Sequence, residues 1–557
     1  MNERFAKRII DTLIEHGVRR FCLSPGSRST PLAYAIAHDE RAEVLVHFDE
    51  RGMAFHAFGF AKGAKEPVAL LVTSGSAVGN LMPAVMEASL EGLPLVVLTA
   101  DRPPELRECG ANQACDQVKI FGNYVRFSFD LPCPDSALPD GFVGSTVAYA
   151  VSQARRLKGP VHLNCMFREP FFSSVSLVTK TSTVYEESLT TLPHGAIEKW
   201  ARILHQAENG VIIVGAHSSP RHVRPILQLA EHLQWPVLPD VLSGVRSEQA
   251  HPAVIPYYDA VLKIAPQLKA DVILHLGDRF VSKSLAEWTH KCEPSIYALV
   301  ADHPWRYDPG HSLTHRLECD PVLFAEQILP HVGRRPSWLE TWKVYSDAID
   351  NHLDTAIKPQ TEPGAIRFLH HHLPAHWALF LANSMPIRDC DQFFFPRFYR
   401  GPIHGKRGLS GIDGNIATAI GIAEGSQRPT LAILGDLTAL HDINSLSQLK
   451  KSRHPVIFLV INNGGGGIFH FLPVAEKKDF FEEYMAGAHG WTFEKAAEMF
   501  EVPYVKIEDF AQIGKALREE KSCILELRTD RAENLRVHRH IFEELKTCCA
   551  SLSSMVS

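Results

Sequence analysis

Two apolar segments near the C-terminus constrain the fold most strongly, because each leads directly into side chains that carry oxygen. Residues 430–435 are followed by Asp436, and residues 456–461 are followed by Asn462 and Asn463. The spacing between the two segments leaves room for a helix and a return strand. Both segments are therefore predicted to be parallel strands whose carboxyl ends meet at one edge of a sheet.

The residues at these strand ends indicate a site for a hard metal ion and a phosphate group. A carboxylate, an amide oxygen and a glycine carbonyl from Gly464–Gly467 suit magnesium or calcium, with the remaining positions left for phosphate or water. A helix is predicted over residues 439–449, with N-terminal amides that help to hold the phosphate. The residues alone leave a second interpretation open, because Gly-Asp and Asn-Gly also punctuate ordinary strand ends.

Short apolar runs alternate with helical stretches along the whole chain, which predicts an α/β protein with three doubly wound domains and mainly parallel sheets. A segment rich in Ser and Thr at Val175–Pro193 is predicted to be a linker, and a hinge is predicted at Lys358–Gly364. The predicted domains are residues 1–178, 190–350 and 360–557.

Composition excludes several classes of function. The net charge of −6 argues against a general nucleic-acid binder. The chain has no apolar run of about 18 residues, so neither export nor a membrane span is expected. Its 11 cysteines lack CxxC or Cys/His metal spacing, which favours reduced thiols in the cytoplasm and makes zinc unexpected.

A further candidate is Glu50, which follows the apolar residues 44–46 and the segment His47-Phe48-Asp49. On the residues alone, a carboxylate at a helix start that interacts with the helix dipole is the favoured interpretation. His47 and the tandem His370–His372 are expected to be surface or core histidines.

Taken together, these elements resemble the thiamine-diphosphate-dependent enzymes over essentially the whole chain. Within that superfamily they are similar to the family of 2-succinyl-5-enolpyruvyl-6-hydroxy-3-cyclohexene-1-carboxylate (SEPHCHC) synthases of menaquinone biosynthesis. The resemblance rests on seven separated segments in the same order: residues 24–32, 47–52, 99–106, 109–113, 383–388, 407–414 and 435–437.

The resemblance implies a carboligase that decarboxylates 2-oxoglutarate and adds the resulting succinyl unit to isochorismate by conjugate addition. Thiamine diphosphate is the implied cofactor, with Mg²⁺ or Mn²⁺ held by Asp436, Asn463 and the carbonyl of Gly465. Glu50 is implied to contact the aminopyrimidine ring. The other implied cofactor contacts are Ser410, Gly411, Ile412, Gly435, Leu437, Ile468, Phe469 and Leu472.

Both implied substrates are dicarboxylates, and arginine can bind a carboxylate through two parallel hydrogen bonds. By resemblance, Ser384 and Arg388 hold 2-oxoglutarate, and Arg407 lies beside both substrate pockets. The implied isochorismate contacts are Ser27, Arg28, Arg102, Gln113 and Lys283. The implied catalytic set is Glu50, Arg28, Gln113, Ser384, Arg388 and Arg407.

Three positions depart from the family pattern. Leu437 replaces a third glycine, Gly467 replaces a polar glutamine, and Ser284 replaces an arginine for which Arg279 is the candidate substitute. The resemblance also implies a homodimer or homotetramer, with Glu50 of one subunit facing Asp436 of another.

Two alternatives remain open at the level of sequence. One is another thiamine-diphosphate 2-oxoacid decarboxylase or carboligase, such as an acetolactate-type synthase. The other is a protein of the same fold that binds the cofactor or regulates without catalysis, although Glu50, Asp436 and Asn463 are all present.

Overall fold

The strands of this protein form three separate parallel sheets in a computed structural model. The structure describes residues 1–139, 141–171, 183–186, 188–217, 219, 221–248, 251–334, 338–395 and 399–552. The first sheet contains β1 (Arg20–Leu23), β2 (Glu43–Val46), β3 (Val68–Val72), β4 (Leu95–Asp101), β5 (Phe127–Leu131) and β6 (Val161–Met166). The second contains β7 (Gly210–Val214), β8 (Val237–Pro239), β9 (Val272–Leu276), β10 (Ile296–Ala301) and β11 (His315–Glu318). The third contains β12 (Ala378–Leu381), β13 (Ile403–Gly405), β14 (Thr430–Gly435), β15 (Val456–Asn462), β16 (Tyr504–Lys506) and β17 (Cys523–Arg528).

The first and third sheets share one topology. Their strand orders are β2-β1-β3-β4-β6-β5 and β13-β12-β14-β15-β17-β16, while the second sheet runs β11-β10-β9-β7-β8. The strand order reverses between β1 and β3 in the first sheet and between β12 and β14 in the third. Ligands of such open sheets bind beyond the carboxyl ends of the strands at these reversal points.

Helices cover the faces of the sheets. With the first sheet lie α1 (Asn2–Glu15), α2 (Thr30–Ala37), α3 (Glu50–Ala64), α4 (Ser76–Gly79), α5 (Met82–Glu91) and α6 (Phe142–Arg156). With the second lie α7 (His194–Gln206), α8 (Arg224–Leu233), α9 (Tyr258–Ile264), α10 (Lys283–Cys292), α11 (Pro321–Ile328) and α12 (Leu339–Ala356). The third carries α13 (Glu362–His372), α14 (Met385–Phe393), α15 (Asn415–Ser426), α16 (Asp436–His441), α17 (Lys478–Tyr484), α18 (Glu494–Phe500), α19 (Ala511–Glu519) and α20 (Arg531–Cys549). The 3₁₀ turns are Pro104–Leu106, Gly122–Tyr124, Val245–Glu248, Leu329–His331, Ile443–Lys451, Gly467–Phe471 and Pro473–Glu476.

The central strands are largely apolar because helices bury both faces of each sheet. Every residue of β3, β4, β6, β7, β9 and β15 is buried. Strand β14 pairs in parallel with β15, with Gly435 opposite Ile461. The predicted meeting of these two strand ends at one sheet edge is therefore confirmed.

The first and third domains meet through a close packing of α3 on α15. A Cβ atom added at Gly59 would lie 2.1 Å from the carbonyl oxygen of Thr418, and one at Gly421 would lie 2.1 Å from that of His56. Gly63 and Gly425 make the same kind of approach one turn further along each helix. The two backbones thus touch, which fixes α3 and α15 relative to each other.

The predicted α/β class with three parallel-sheet domains is confirmed, whereas one helix prediction is wrong. The helix expected over residues 439–449 instead begins at Asp436, ends at His441, and gives way after Asp442 to the 3₁₀ turn Ile443–Lys451. The buried carboxylate of Asp442 accepts bonds from Ala417 N and Ser445 Oγ, and these contacts compete with a continuous helix.

The domain boundaries remain predictions. Much of the linker predicted at Val175–Pro193 lies outside the described residues. The hinge predicted at Lys358–Gly364 includes the first turn of α13. The Thr361 hydroxyl caps this turn by accepting a hydrogen bond from Gly364 N.

Within the described ranges, no helix is both long and apolar enough to cross a bilayer. All 11 cysteines are free thiols. Of the three tandem histidines, His370 is buried and accepts a bond from Phe395 N, while His371 contacts Asp354 at the surface. His47 is also buried.

Replacing Gly59 with alanine should lower the midpoint of thermal unfolding, because the new methyl group meets the Thr418 carbonyl. Overpacking of this kind costs about 1–3 kcal/mol. The matched control is Gly195→Ala in α7, where an added Cβ has nothing within 4 Å. A midpoint for Gly59→Ala at or above that of the unaltered protein would contradict the packing described.

Candidate active site

Asp436, at the end of β14, contacts the glycine residues that follow β15. Asp436 is the first residue of α16, and its Oδ2 accepts hydrogen bonds from Gly464 N (2.8 Å) and Gly465 N (2.9 Å). Burial raises the pKa of this carboxyl group. The Nε2 atom of buried His489 lies 3.4 Å from the same Oδ2.

The side chain of Asn463 has a polar atom whose hydrogen-bonding capacity is unused. Its Nδ2 donates to Glu362 Oε1 at 3.0 Å, whereas its buried Oδ1 has no hydrogen-bond partner. The neighbouring Asn462 differs, since its Nδ2 donates to Glu526 and its Oδ1 accepts from Gly464 N. An unpartnered buried acceptor of this kind is suited to binding a cation.

One carboxylate, one amide oxygen and one glycine carbonyl form a donor set suited to Mg²⁺, which keeps further positions for phosphate oxygens and water. Gly465 has φ of +144°, a backbone conformation that favours glycine. In the described part of the chain, no three His, Cys, Asp or Glu side chains converge as a metal cluster. The donor set described above includes only one side chain of these four types, Asp436.

Glu50 is the first residue of α3, which begins where β2 delivers the chain to the carboxyl edge of the first sheet. The Asp49 side chain caps the helix by accepting from Arg51 N and Gly52 N. Glu50 is half-buried, and its Oε2 accepts from Asn80 Nδ2 at 3.1 Å. Asp49 also accepts from Asn444, so the start of α3 is tied to the third domain.

A pair of buried arginines occupies the edge of the first sheet. Arg28 donates to the Phe167 carbonyl (3.0 Å) and to Glu169 Oε1 (3.2 Å), and Arg102 donates to the Ser74 hydroxyl. Burial and then the charge of Arg28 lower the pKa of Arg102. Gln113 Nε2 donates to the Ser74 carbonyl at 3.1 Å. The structure therefore gathers three of the predicted acceptor-site residues around one turn.

Ser27 directly precedes Arg28 in the turn that follows β1, and the Ser27 side chain is exposed. Lys283 lies in the second domain and not at the edge of the first sheet. It begins α10 in the second domain with a side chain that is 87% exposed and 3.5 Å from Glu287. The contact predicted between Lys283 and the acceptor remains a prediction.

A second arginine pair lies at the edge of the third sheet. Arg388 donates to the Ser384 carbonyl, and Arg407 Nη1 donates to Asn383 Oδ1 at 2.8 Å. Burial and then the charge of Arg407 lower the pKa of Arg388. Both pairs place like charges side by side, an arrangement that an anionic ligand would stabilise.

The loop that carries Arg407 is held by all three domains. Glu87 of α5 accepts from Gly408 N (2.9 Å) and Leu409 N (2.8 Å), and Arg279 of the second domain donates to the carbonyls of Arg407 and Gly408. Burial, followed by the charge of Glu91, raises the pKa of Glu87 to about 7. This anchoring fixes the loop that leads through Ser410–Ile412 into α15.

The remaining predicted cofactor contacts lie on neighbouring surface segments. Ile412 and Leu472 are exposed, and Ile468 and Phe469 are half-buried in the turn Gly467–Phe471. Leu437 N donates to Asp436 Oδ1, so the leucine found in place of glycine leaves the ligand in position. An added Cβ at Gly467 would lie 2.6 Å from Asn463 Nδ2, so this glycine leaves room for the amide.

Comparison with known proteins agrees with this geometry. Residues 3–120 match the family model of the thiamine pyrophosphate enzyme N-terminal TPP binding domain, residues 178–381 match that of the middle domain, and residues 391–524 match that of the C-terminal TPP binding domain. The chain is 40% identical to the SEPHCHC synthase of Rubrobacter xylanophilus, covering 97% of this chain and 98% of that protein. It is 38% identical to the SEPHCHC synthase of Salinibacter ruber, covering 95% and 94%.

This chain belongs to the SEPHCHC synthase family of thiamine-diphosphate enzymes. Among solved structures, benzoylformate decarboxylase from Polynucleobacter necessarius superposes with a TM-score of 0.74 at 15% identity, covering 95% of this chain and 99% of that one. At that identity the likeness concerns the fold alone, and it agrees with the three-domain arrangement described above.

The third departure from the family pattern, Ser284, and its candidate substitute Arg279 also have a structural description. Ser284 lies in the first turn of α10, close in sequence to Ser282, whose hydroxyl donates to the buried carboxylate of Asp259. Arg279, the candidate substitute for the missing arginine, packs over the Tyr307 ring with 4.6 Å between the guanidinium carbon and the ring centroid. Arg279 also donates to the carbonyls of Arg407 and Gly408 and so anchors that loop, while its substitution for the missing arginine remains a prediction.

Several residues that support the site were not found by sequence reasoning. Glu87, Asn80, Glu362 and His489 carry no local motif, and each reaches the site from a distant part of the chain. One backbone signal separates other site residues from their surroundings: Gln113, Ser384 and Ser410 have φ of +56°, +75° and +60°. Such conformations in non-glycine residues cluster at functional sites.

Proposed function

We propose that this chain catalyses the thiamine-diphosphate-dependent decarboxylation of 2-oxoglutarate and the conjugate addition of the succinyl unit to isochorismate, giving SEPHCHC for menaquinone biosynthesis. The observation that carries the proposal is the buried, unpartnered Oδ1 of Asn463, a residue that directly precedes the two glycines that bind Asp436, in a chain of this family. A cytoplasmic location fits the free thiols.

Asp436, Asn463 Oδ1 and the Gly465 carbonyl would hold Mg²⁺ or Mn²⁺ and, through it, the cofactor diphosphate. Asp436 Oδ1 accepts only from Leu437 N and so keeps a lone pair that would bind the metal while Oδ2 retains its two glycine amide donors. When bound, thiamine diphosphate supplies the carbon nucleophile and the electron sink for decarboxylation and carbon–carbon bond formation.

Glu50 would hold a proton against the ring nitrogen of the aminopyrimidine. Its half-buried position at the start of α3 and its bond from Asn80 restrict the carboxyl group to one orientation. A carboxyl group at hydrogen-bonding distance from this nitrogen favours the tautomer in which the exocyclic nitrogen acts as the base.

The two arginine pairs suit two dianionic substrates. Arg388 and Arg407, next to Ser384, would hold the carboxylates of 2-oxoglutarate, and Arg28 and Arg102, next to Gln113, would hold isochorismate. Each pair loses favourable hydration by burial and repels itself, so a carboxylate that binds between its members gains from both.

Completion of the site by a second copy of the chain is part of the proposal. Phe48, beside Glu50, and Ile412, Leu472, Tyr484 and Trp491 of the third domain are large apolar side chains that remain exposed in the single chain. Apolar surface around a catalytic edge fits a subunit interface. We propose a homodimer or homotetramer in which Glu50 of one subunit faces Asp436 of another.

Purified protein supplied with 2-oxoglutarate, isochorismate, thiamine diphosphate and Mg²⁺ should form an adduct whose mass equals both substrates less carbon dioxide. Replacing 2-oxoglutarate with pyruvate should abolish the adduct, because pyruvate lacks the second carboxylate that the arginines would bind. Carbon dioxide release only when isochorismate is absent, or equal use of pyruvate, would instead favour an acetolactate-type carboligase.

No Mg²⁺-dependent binding of thiamine diphosphate in a calorimetric titration would favour a non-catalytic protein.

Glu50→Gln should slow deuterium exchange at the thiazolium C2 position of bound thiamine diphosphate by about 100-fold or more, because the amide cannot hold the proton that the carboxyl group holds. The exchange is followed by magnetic resonance. Glu43→Gln, on the exposed edge strand β2, is the matched control and should leave the rate unchanged. Unaltered exchange in Glu50→Gln would remove Glu50 from this role.

A further inference from the structure

The amide of Asn463 can present either of its two ends to the metal position, and only one end can bind a cation. The oxygen and nitrogen of a side-chain amide have nearly the same shape, so a rotation of 180° exchanges them at little steric cost. With Nδ2 turned toward the metal position, the site would offer a donor where it needs an acceptor. Something in the chain must therefore select the orientation seen here.

The group that makes this selection is the carboxylate of Glu362. It accepts the bond from Asn463 Nδ2 at 3.0 Å, and an ionised carboxylate can only accept. Burial, followed by the charge of Asp389, raises the pKa of Glu362 to about 7, so the selection acts above that pH. The flipped amide would set Oδ1 against Oε1, two acceptors in a buried space. The pairing therefore favours the orientation that leaves Oδ1 pointing away from Glu362 and without a partner.

Glu362 is itself held in place. It is the first residue of α13, is 1% exposed, and its Oε1 also accepts from Thr529 Oγ1 at 2.8 Å. Thr529 N donates to the Asn462 carbonyl, so the chain beyond β17 joins α13 at the end of β15. The helix dipole favours a negative charge at this position. A buried carboxylate fixed in this way can impose its orientation on a neighbour.

We propose that Glu362 is a positioning residue that orients Asn463 Oδ1 toward the catalytic metal, an inference that rests on the metal site proposed above. Glu362 does not touch the metal in this arrangement. It acts through the Asn463 amide, in the way that partners of metal ligands orient those ligands in other proteins.

The first test is the affinity of the full-length protein for Mn²⁺ in the presence of saturating thiamine diphosphate, measured from the paramagnetic resonance signal of free Mn²⁺. Glu362→Gln should weaken binding by about tenfold or more, because the new amide can pair with Asn463 in either orientation. Glu494→Gln, which makes the same change at the first position of the surface helix α18, is the control and should bind within about twofold of the unaltered protein.

The second test exchanges the chemical roles of the two side chains. Asn463→Asp alone places two carboxylates against each other and should bind Mn²⁺ poorly. The double variant Glu362→Gln/Asn463→Asp should regain much of the affinity, since an amide can donate to one carboxylate oxygen and leave the other for the metal. A merely structural contact would not give this recovery.

Each outcome decides between the possibilities. Weak binding by Glu362→Gln with recovery in the double variant supports the inference. Unchanged affinity in Glu362→Gln overturns it, and so does a double variant that is folded but binds no better than Asn463→Asp. Folding is checked by circular dichroism of each variant. Failure of the unaltered protein to bind Mn²⁺ with thiamine diphosphate would overturn the metal site itself and the inference with it.

Discussion

The contact on which the candidate site depends is the backbone packing of α3 against α15. Four glycines let the two helices approach until a Cβ at Gly59 or Gly421 would overlap a carbonyl of the other helix. Glu50 begins α3, and the loop of Ser410–Ile412 leads into α15. A shift in the helix contact would therefore move Glu50 relative to the Ser410–Ile412 loop of the same chain, and with them the two faces that each chain offers to the proposed partner subunit.

Buried charge organises the rest of the site. Two arginine pairs stand at the edges of the first and third sheets, and the carboxylates of Glu87 and Glu91 hold the backbone of the loop next to one of them. Those carboxylates accept hydrogen bonds from backbone amides and not from the Arg407 guanidinium. Apart from its bond to Asn383, this guanidinium therefore remains able to bind an anion. Through Arg279, the second domain also holds this loop.

Local patterns in the sequence predicted the sheets and the strand-end ligands. Parallel strands buried on both faces have near-continuous apolar runs, so the apolar pattern is enough to place Asp436 and Asn463 at one sheet edge. The break in helix at Asp442 could not be predicted, because it depends on bonds to Ala417 and Ser445. The pairing of Glu362 with Asn463 joins residues far apart in the chain and leaves no periodic trace. Family resemblance supplied the residue roles, and the geometry alone could not have named the substrates.

The most direct test of the central claim is the anomalous scattering of Mn²⁺ in crystals grown with thiamine diphosphate. One peak is predicted per chain, bound by Asp436, Asn463 Oδ1 and the Gly465 carbonyl, with the aminopyrimidine of the same cofactor within hydrogen-bonding distance of a Glu50 carboxylate. A peak elsewhere, or a pyrimidine ring remote from every Glu50 in the assembly, would contradict the site proposed for this chain.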